Sequence, residues 1–145
     1  MINLRTSFYP DELTAPMRAD LVNAGFENLT TPEAVDAAIK NTEGTYFLVI
    51  NSVCGCAAAN ARPAAKLAMQ QATKKPTHAG TVFAGVEPEA VARARAYTLP
   101  YPPSSPSMAL FKNGQLVHFI ERYQIEGVSA QAIAQSLLAA FEAHC

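Results

Sequence analysis

Apolar residues recur along the first forty positions with the period of a helix. Leucine or methionine occupies every fourth position across residues 11–23, which predicts an amphipathic helix. A second helix is predicted to run to about Asn41, with Thr31 as its N-cap and Pro32 at its first position. The chain therefore begins with two helices before its first strong strand signal.

The pattern then alternates between strands and helices. Thr45–Asn51 is a continuous apolar run rich in aromatic and β-branched residues, which is typical of a buried central strand. A helix is predicted over residues 57–73, a strand over residues 81–84 and a helix over Pro88–Tyr97. This β-α-β-α order indicates a parallel core.

The last third of the chain predicts a hairpin and a closing helix. A proline-rich loop covers residues 99–106, and Asn113-Gly114 separates apolar runs at 108–111 and 116–120, which is a strong hairpin signal. A helix capped by Ser129 runs to the C-terminus. We therefore predict an α/β protein with a thioredoxin-like fold: a mixed central sheet of parallel strands plus a C-terminal hairpin, flanked by helices, with extra N-terminal helices.

Length and charge narrow the possible functions. The 145 residues predict one domain over residues 1–145, large enough to hold a core without a metal ion or a disulfide. Eleven basic and twelve acidic residues give a net charge of -1, which argues against nucleic-acid and anionic-membrane partners. Residues 1–13 lack the apolar region of a signal peptide, and no segment reaches the roughly 18 apolar residues of a membrane helix. We expect a cytoplasmic protein whose oligomeric state the sequence leaves open.

Two of the three cysteines, Cys54 and Cys56, lie between the predicted central strand and the helix that follows it. Cys54 is placed at or just before the first helical turn, where unpaired N–H groups lower a thiol pKa and create a nucleophilic thiolate. A disulfide to Cys56 would be strained, although Gly55 relaxes the strain, and it should exchange readily. The preceding strand carries no carboxylate, and the chain has no tryptophan. The sequence predicts thiol–disulfide chemistry at Cys54 and Cys56.

Other uses of the cysteines remain open at this point. They could be small buried apolar residues, or part of a metal or iron–sulfur site in a binding or carrier protein. Such a site would need further ligands, for which the sequence offers Cys145, His144, His118 and His78. We expect no bound metal or cofactor. Cys145 is predicted to lie about 24 Å from the active-site end of the sheet, at the far end of the last helix.

Two further positions have a predicted role near the cysteines. The proline-rich loop returns to the active-site end of the sheet, which brings Pro106 beside Cys54. A cis Ser105-Pro106 bond would expose the backbone of Ser105 to an added strand from a bound chain, whereas an ordinary trans proline would have no such role. Pro63 should kink the helix after the cysteines, and Arg62 is expected to be a solvated surface charge.

Several segments together resemble the bacilliredoxin family over nearly the whole chain. They are NSVCGCAAANARPAA, TVFAG and PSSPSMALFKNGQLVHFI, with Pro-Met-Arg near residue 17, Gly-Phe-Glu at 25 and a terminal Ala-His-Cys. The resemblance implies a thioredoxin-like oxidoreductase that removes bacillithiol, or another low-molecular-weight thiol, from mixed disulfides on cytosolic client proteins, with overlap into disulfide isomerase activity. By position, Cys54 resembles the attacking cysteine of the family and Cys56 its resolving cysteine.

Overall fold

The chain forms a five-stranded mixed sheet covered by helices on both faces. The structure is a computed structural model that describes residues 9–145; the predicted absence of an export signal rests partly on residues 1–8, which lie outside this range. The helices are α1 (Asp11–Val22), α2 (Pro32–Lys40), α3 (Arg62–Gln71), α4 (Pro88–Tyr97) and α5 (Ala130–His144). The strands are β1 (Glu27–Asn28), β2 (Thr45–Asn51), β3 (His78–Phe83), β4 (Ser107–Lys112) and β5 (Gln115–Ile120).

The strand order β1-β3-β2-β4-β5 confirms the predicted mixed sheet. Strands β1, β3 and β2 are parallel, whereas β4 pairs antiparallel with both β2 and β5. Strand β1 was not predicted, because two residues are too few to show a period. Strand β3 begins three residues earlier than its apolar run, since the small residues Ala79 and Gly80 also pair with β2.

Alternating residues of β2 enter two apolar cores, one on each face of the sheet. Phe47 and Val49 pack with the buried alanines of α3 and the apolar stripe of α5. Leu48 and Ile50 face the opposite way and pack with α2 and α4. Because every residue of β2 is buried, this strand is the rigid support for the segment that follows it.

Strand direction brings two loops together at one edge of the sheet. Ile50, near the end of β2, pairs with Ser107 at the start of β4, because the two strands are antiparallel. Ile120, at the end of β5, pairs with Met108 for the same reason. The segments that follow β2 and β5 and the loop that precedes β4 therefore share one edge, and Cys54 lies in the first of them.

The helix after the cysteines begins with a π-helical turn, Ala57–Ala61, in which the N–H of Arg62 donates to the carbonyl of Ala57. Pro63 follows directly and cannot donate a backbone hydrogen bond. A wide turn therefore lies just before Pro63, and regular α-helix continues from Arg62, while the predicted kink at Pro63 stays a prediction.

Arg62 is not the solvated surface charge expected from the sequence; that expectation was wrong. Its side chain is only 6 % exposed, and its Nε donates to Asp20 Oδ2 at 3.0 Å. Its Nη1 donates to Asn51 Oδ1 at 3.1 Å and to the Ser52 carbonyl at 3.3 Å. The cause is tertiary: α1 supplies a carboxylate and the end of β2 supplies two acceptors, so the buried charge is paired and hydrogen-bonded.

Asp20 completes this network from α1. Burial alone would raise its pKa, but hydrogen bonds from Lys66 and Arg62 outweigh burial and hold the pKa of Asp20 below its usual value. Asn51 also donates through Nδ2 to the carbonyl of Met17, and its Oδ1 accepts from the N–H of Ser52. The network therefore ties α1 and α3 to the two residues that connect β2 to the cysteine turn.

Replacing Arg62 should destabilise the fold. Arg62→Met leaves the Ser52 carbonyl without its Arg62 donor and removes one of the two donors to Asn51 Oδ1, and these losses should lower the free energy of unfolding by about 2 kcal/mol. Urea unfolding followed by circular dichroism measures the change. Arg93→Met is the matched control, because Arg93 is 44 % exposed and pairs with Asp36 at the surface, and it should change stability little. Equal stability of the two variants would contradict a structural role for the Arg62 network.

Candidate active site

Cys54 lies at the N-terminal end of the helical turn that follows β2. The turn begins at Gly55, so Cys54 is the residue immediately before it, as the sequence predicts. The Cys54 N–H donates to Ser52 Oγ at 3.1 Å, and the Ala57 N–H donates to the Cys54 carbonyl at 2.9 Å. The backbone N–H of Cys56 donates to Cys54 Sγ at 3.4 Å. An N–H of the first helical turn, which has no partner within the helix, therefore points at the sulfur and stabilises a thiolate there.

Both cysteines are free thiols, and they differ in exposure. Cys54 is partly exposed, whereas Cys56 is 7 % exposed. An incoming disulfide therefore reaches Cys54 first.

Arg122 brings a positive charge to Cys54. Its Nη2 donates to Cys54 Sγ at 3.2 Å and to Glu126 Oε2 at 2.9 Å, and its Nε also donates to Glu126 Oε2. Arg122 begins a short 3-10 helix, Arg122–Gln124, that follows β5. A guanidinium at hydrogen-bond distance from a sulfur favours the thiolate over the thiol.

The segment that carries Arg122 is fixed by neighbouring loops. The Arg122 N–H donates to Ser104 Oγ at 3.4 Å, and its Nη1 donates to the Ser105 carbonyl at 3.4 Å. Asn60, in the π-helical turn, donates through Nδ2 to the carbonyl of Val128. These contacts tie the segment after β5 to both the loop before β4 and the helix that follows the cysteines.

The pKa values of the two thiols move in opposite directions. A hydrogen bond from the Cys56 thiol is the main cause that lowers the pKa of Cys54, and the Cys56 N–H and the charge of Arg122 lower it further, against the opposing effect of burial. Burial is the main cause that raises the pKa of Cys56, followed by the hydrogen bond and charge of Cys54. The site thus favours the thiolate at Cys54 and the protonated thiol at Cys56.

Arg122 was not among the residues predicted for the site. The signal that could have found it is topological: β5 is the second strand of the predicted hairpin, so it ends at the edge where β4 begins. A residue just beyond Ile120 is therefore brought beside the loop of Ser105. Residue type alone gave no indication, because isolated arginines are common surface residues.

Ser105 and Pro106 lie in the loop before β4, and the peptide bond between them is cis. The Ser105 carbonyl and the Cys54 sulfur both accept hydrogen bonds from the guanidinium of Arg122. Ser105 thus lies at the cysteine site. Pro106, the next residue in the chain, is buried. Their predicted role in docking a bound chain stays a prediction.

Gly55 adopts no positive φ here, and a Cβ at this position would contact no atom within 4 Å. In the dithiol form, the backbone at position 55 therefore does not require glycine. The prediction that Gly55 relaxes strain concerns only the disulfide form.

Cys145 is exposed and follows α5, whose 15 residues span about 22 Å. Among residues 9–145, no three Cys, His, Asp or Glu side chains group in a way that could hold a metal ion.

Comparisons with known proteins find relatives over most of the chain. A family model described as disulphide isomerase matches residues 9–145. A bacilliredoxin of Cytophaga hutchinsonii is 61% identical over 89% of this chain and 94% of its own length. A bacilliredoxin of Geobacillus kaustophilus is 52% identical over 94% of each chain.

Solved structures give the fold independently. A putative oxidoreductase with a thioredoxin fold matches with a TM-score of 0.62 and 16% identity, covering 79% of this chain and 96% of its own. The thioredoxin of Fasciola hepatica matches with a TM-score of 0.60 and 16% identity, covering 83% of this chain and 100% of its own. These likenesses confirm the predicted thioredoxin-like fold.

No helix within the described residues 9–145 is both long and apolar enough to cross a membrane. The family match spans the cysteine turn, the loop of Ser105 and the segment of Arg122. With relatives more than half identical over most of its length, the chain belongs to the bacilliredoxin family.

Proposed function

We propose that this protein is a cytoplasmic thiol–disulfide oxidoreductase that removes bacillithiol, or a similar low-molecular-weight thiol, from mixed disulfides on client proteins. The observation that carries the proposal is the geometry of the two neighbouring thiols: the partly exposed Cys54 sulfur accepts hydrogen bonds from the Cys56 N–H and from Arg122, whereas Cys56 is buried. The opposite directions of their pKa shifts agree with this geometry. Membership of the bacilliredoxin family supports the choice of substrate.

The first step uses the Cys54 thiolate. Its sulfur attacks the small-thiol sulfur of the mixed disulfide, a new sulfur–sulfur bond forms to Cys54, and the client leaves as a thiolate that takes up a proton. The Cys56 N–H and Arg122 stabilise the attacking charge before reaction. The client is reduced, and the small thiol is now carried on Cys54.

The second step uses Cys56, and the first step prepares it. Once Cys54 is in a disulfide it no longer bears the charge that helps to raise the pKa of Cys56, whereas the charge of Arg122 still lowers it. Cys56 can then lose its proton and attack Cys54 Sγ, releasing the small thiol and leaving a Cys54–Cys56 disulfide. A second molecule of small thiol can discharge the adduct instead. The same thiolate exchange supports disulfide isomerase activity on clients.

The reactivity of Cys54 should report the hydrogen bond from Cys56. In a Cys145→Ser background, the rate of iodoacetamide alkylation of Cys54 should rise with pH through a pKa below the usual thiol value of about 8.5. Cys56→Ala removes the main cause of that shift and should move the Cys54 pKa upward, while Cys56→Ser keeps an O–H donor and should move it less. Mass spectrometry of the alkylated peptide identifies the reacting cysteine. A Cys54 pKa at or above about 8.5 in this background would contradict activation of Cys54 by the turn. Faster alkylation of Cys56 would reverse the assigned roles.

Single cysteine variants should stop the cycle at different steps. Cys54→Ser should leave a bacillithiol-modified client untouched, because no thiolate remains to attack it. Cys56→Ser should unload a client once and accumulate bacillithiol on Cys54, visible by intact mass, and added reduced bacillithiol should restore turnover.

Cys145→Ser is the control for these variants and should complete both steps. Failure of Cys56→Ser to unload any client would refute the assigned order of attack. Blocked discharge in Cys145→Ser would show that the third cysteine resolves the adduct.

A further inference from the structure

The guanidinium of Arg122 contacts both the Cys54 sulfur and the Glu126 carboxylate. We infer that Arg122 binds a carboxylate of the small thiol during its exchange onto Cys54, so that the site selects anionic low-molecular-weight thiols. The inference rests on the proposed function and deepens it, because it assigns the substrate class to a residue.

One nitrogen of Arg122 donates hydrogen bonds to both the Cys54 sulfur and the Glu126 carboxylate. Nη2 donates to Cys54 Sγ at 3.2 Å and to Glu126 Oε2 at 2.9 Å. The guanidinium therefore spans the short distance that separates the sulfur and the acid group of a small thiol acid. The Glu126 carboxylate shows that an acid group is accommodated beside the reacting sulfur.

Glu126 can give way to a carboxylate from a substrate. Its side chain is 61% exposed and that of Arg122 is 45% exposed, so their i,i+4 ion pair faces water. Exposed pairs of this kind contribute little to stability, and exchanging one carboxylate for another keeps the guanidinium hydrogen-bonded. The Arg122 backbone stays fixed meanwhile, because its N–H is held by Ser104 Oγ.

The charge on Cys54 changes during the reaction, and this change favours carboxylate binding by Arg122 after Cys54 has reacted. Before reaction, the guanidinium stabilises the Cys54 thiolate. When that sulfur enters a disulfide, its negative charge moves to the leaving thiolate, and the guanidinium loses one of its two anionic contacts, keeping Glu126. A carboxylate on the thiol now joined to Cys54 supplies a new anionic contact and competes with Glu126 for the guanidinium.

Three symmetrical disulfides of matched size separate this function from thiolate stabilisation. Dithiodipropionate is an anion, hydroxyethyl disulfide is neutral and cystamine is a cation. Reduced protein carrying Cys56→Ser and Cys145→Ser forms one adduct per molecule, on Cys54, and stopped-flow quenching with intact mass gives the second-order rate for each probe. The ratio of two rates in one variant cancels differences in thiolate fraction and nucleophilicity.

The expected results differ between variants. Arg122→Gln should lower the anion-to-neutral rate ratio about fivefold at low ionic strength, and Arg122→Lys should lower it less. Glu126→Gln should raise the ratio, because the competing carboxylate is removed. Arg93→Gln is the matched control: it removes the same charge from an arginine of nearly equal exposure, paired with Asp36, and should leave the ratio unchanged. Added salt should weaken the wild-type preference.

Two results would overturn the inference, and they have different meanings. If Arg122→Gln slows all three probes by one common factor, Arg122 acts on the thiolate alone and binds no carboxylate. If Cys54 forms an adduct with none of the probes even when Arg122 is present, the proposed thiol exchange itself is wrong.

Discussion

The site depends on the antiparallel pairing of β4 with its two neighbours. This pairing places the end of β2, the start of β4 and the end of β5 at one edge of the sheet. Cys54, Ser105 and Arg122 follow or precede those three strand ends, and a single guanidinium contacts both of the other residues. A change of register in the hairpin would separate the cation from the sulfur, although every residue of the cysteine turn would remain in place.

The chemistry depends on an asymmetry between two thiols that are only two residues apart. The backbone creates this asymmetry, since the N–H of Cys56 points at Cys54 Sγ while the Cys56 side chain is buried. The familiar thioredoxin arrangement spaces its cysteines by two residues, but here one intervening residue makes the second thiol a direct neighbour of the first. Each thiol therefore affects the pKa of the other: Cys56 lowers the pKa of Cys54, and Cys54 raises the pKa of Cys56.

The sequence was sufficient wherever the signal is local. The apolar run of β2, the Asn-Gly turn and the caps at Thr31 and Ser129 predicted the sheet, the hairpin and the position of Cys54, and both side-chain caps are present. It was insufficient for Arg62 and Arg122, because a charged side chain is indistinguishable from a solvated one until its partners are known. Those partners are Asp20 and Cys54, which lie 42 and 68 residues away in the chain.

The central claim is that Cys54 and Cys56 form a reversible disulfide that small thiols can reduce. The most direct test equilibrates the protein with buffers of reduced and oxidised small thiol at graded potentials and follows intact mass. The account predicts one reversible transition with loss of two hydrogen atoms, retained in Cys145→Ser, at a potential less negative than the roughly -270 mV of thioredoxin, because a Cys-x-Cys disulfide is strained. The absence of any reversible transition, or its loss in Cys145→Ser, would contradict the account.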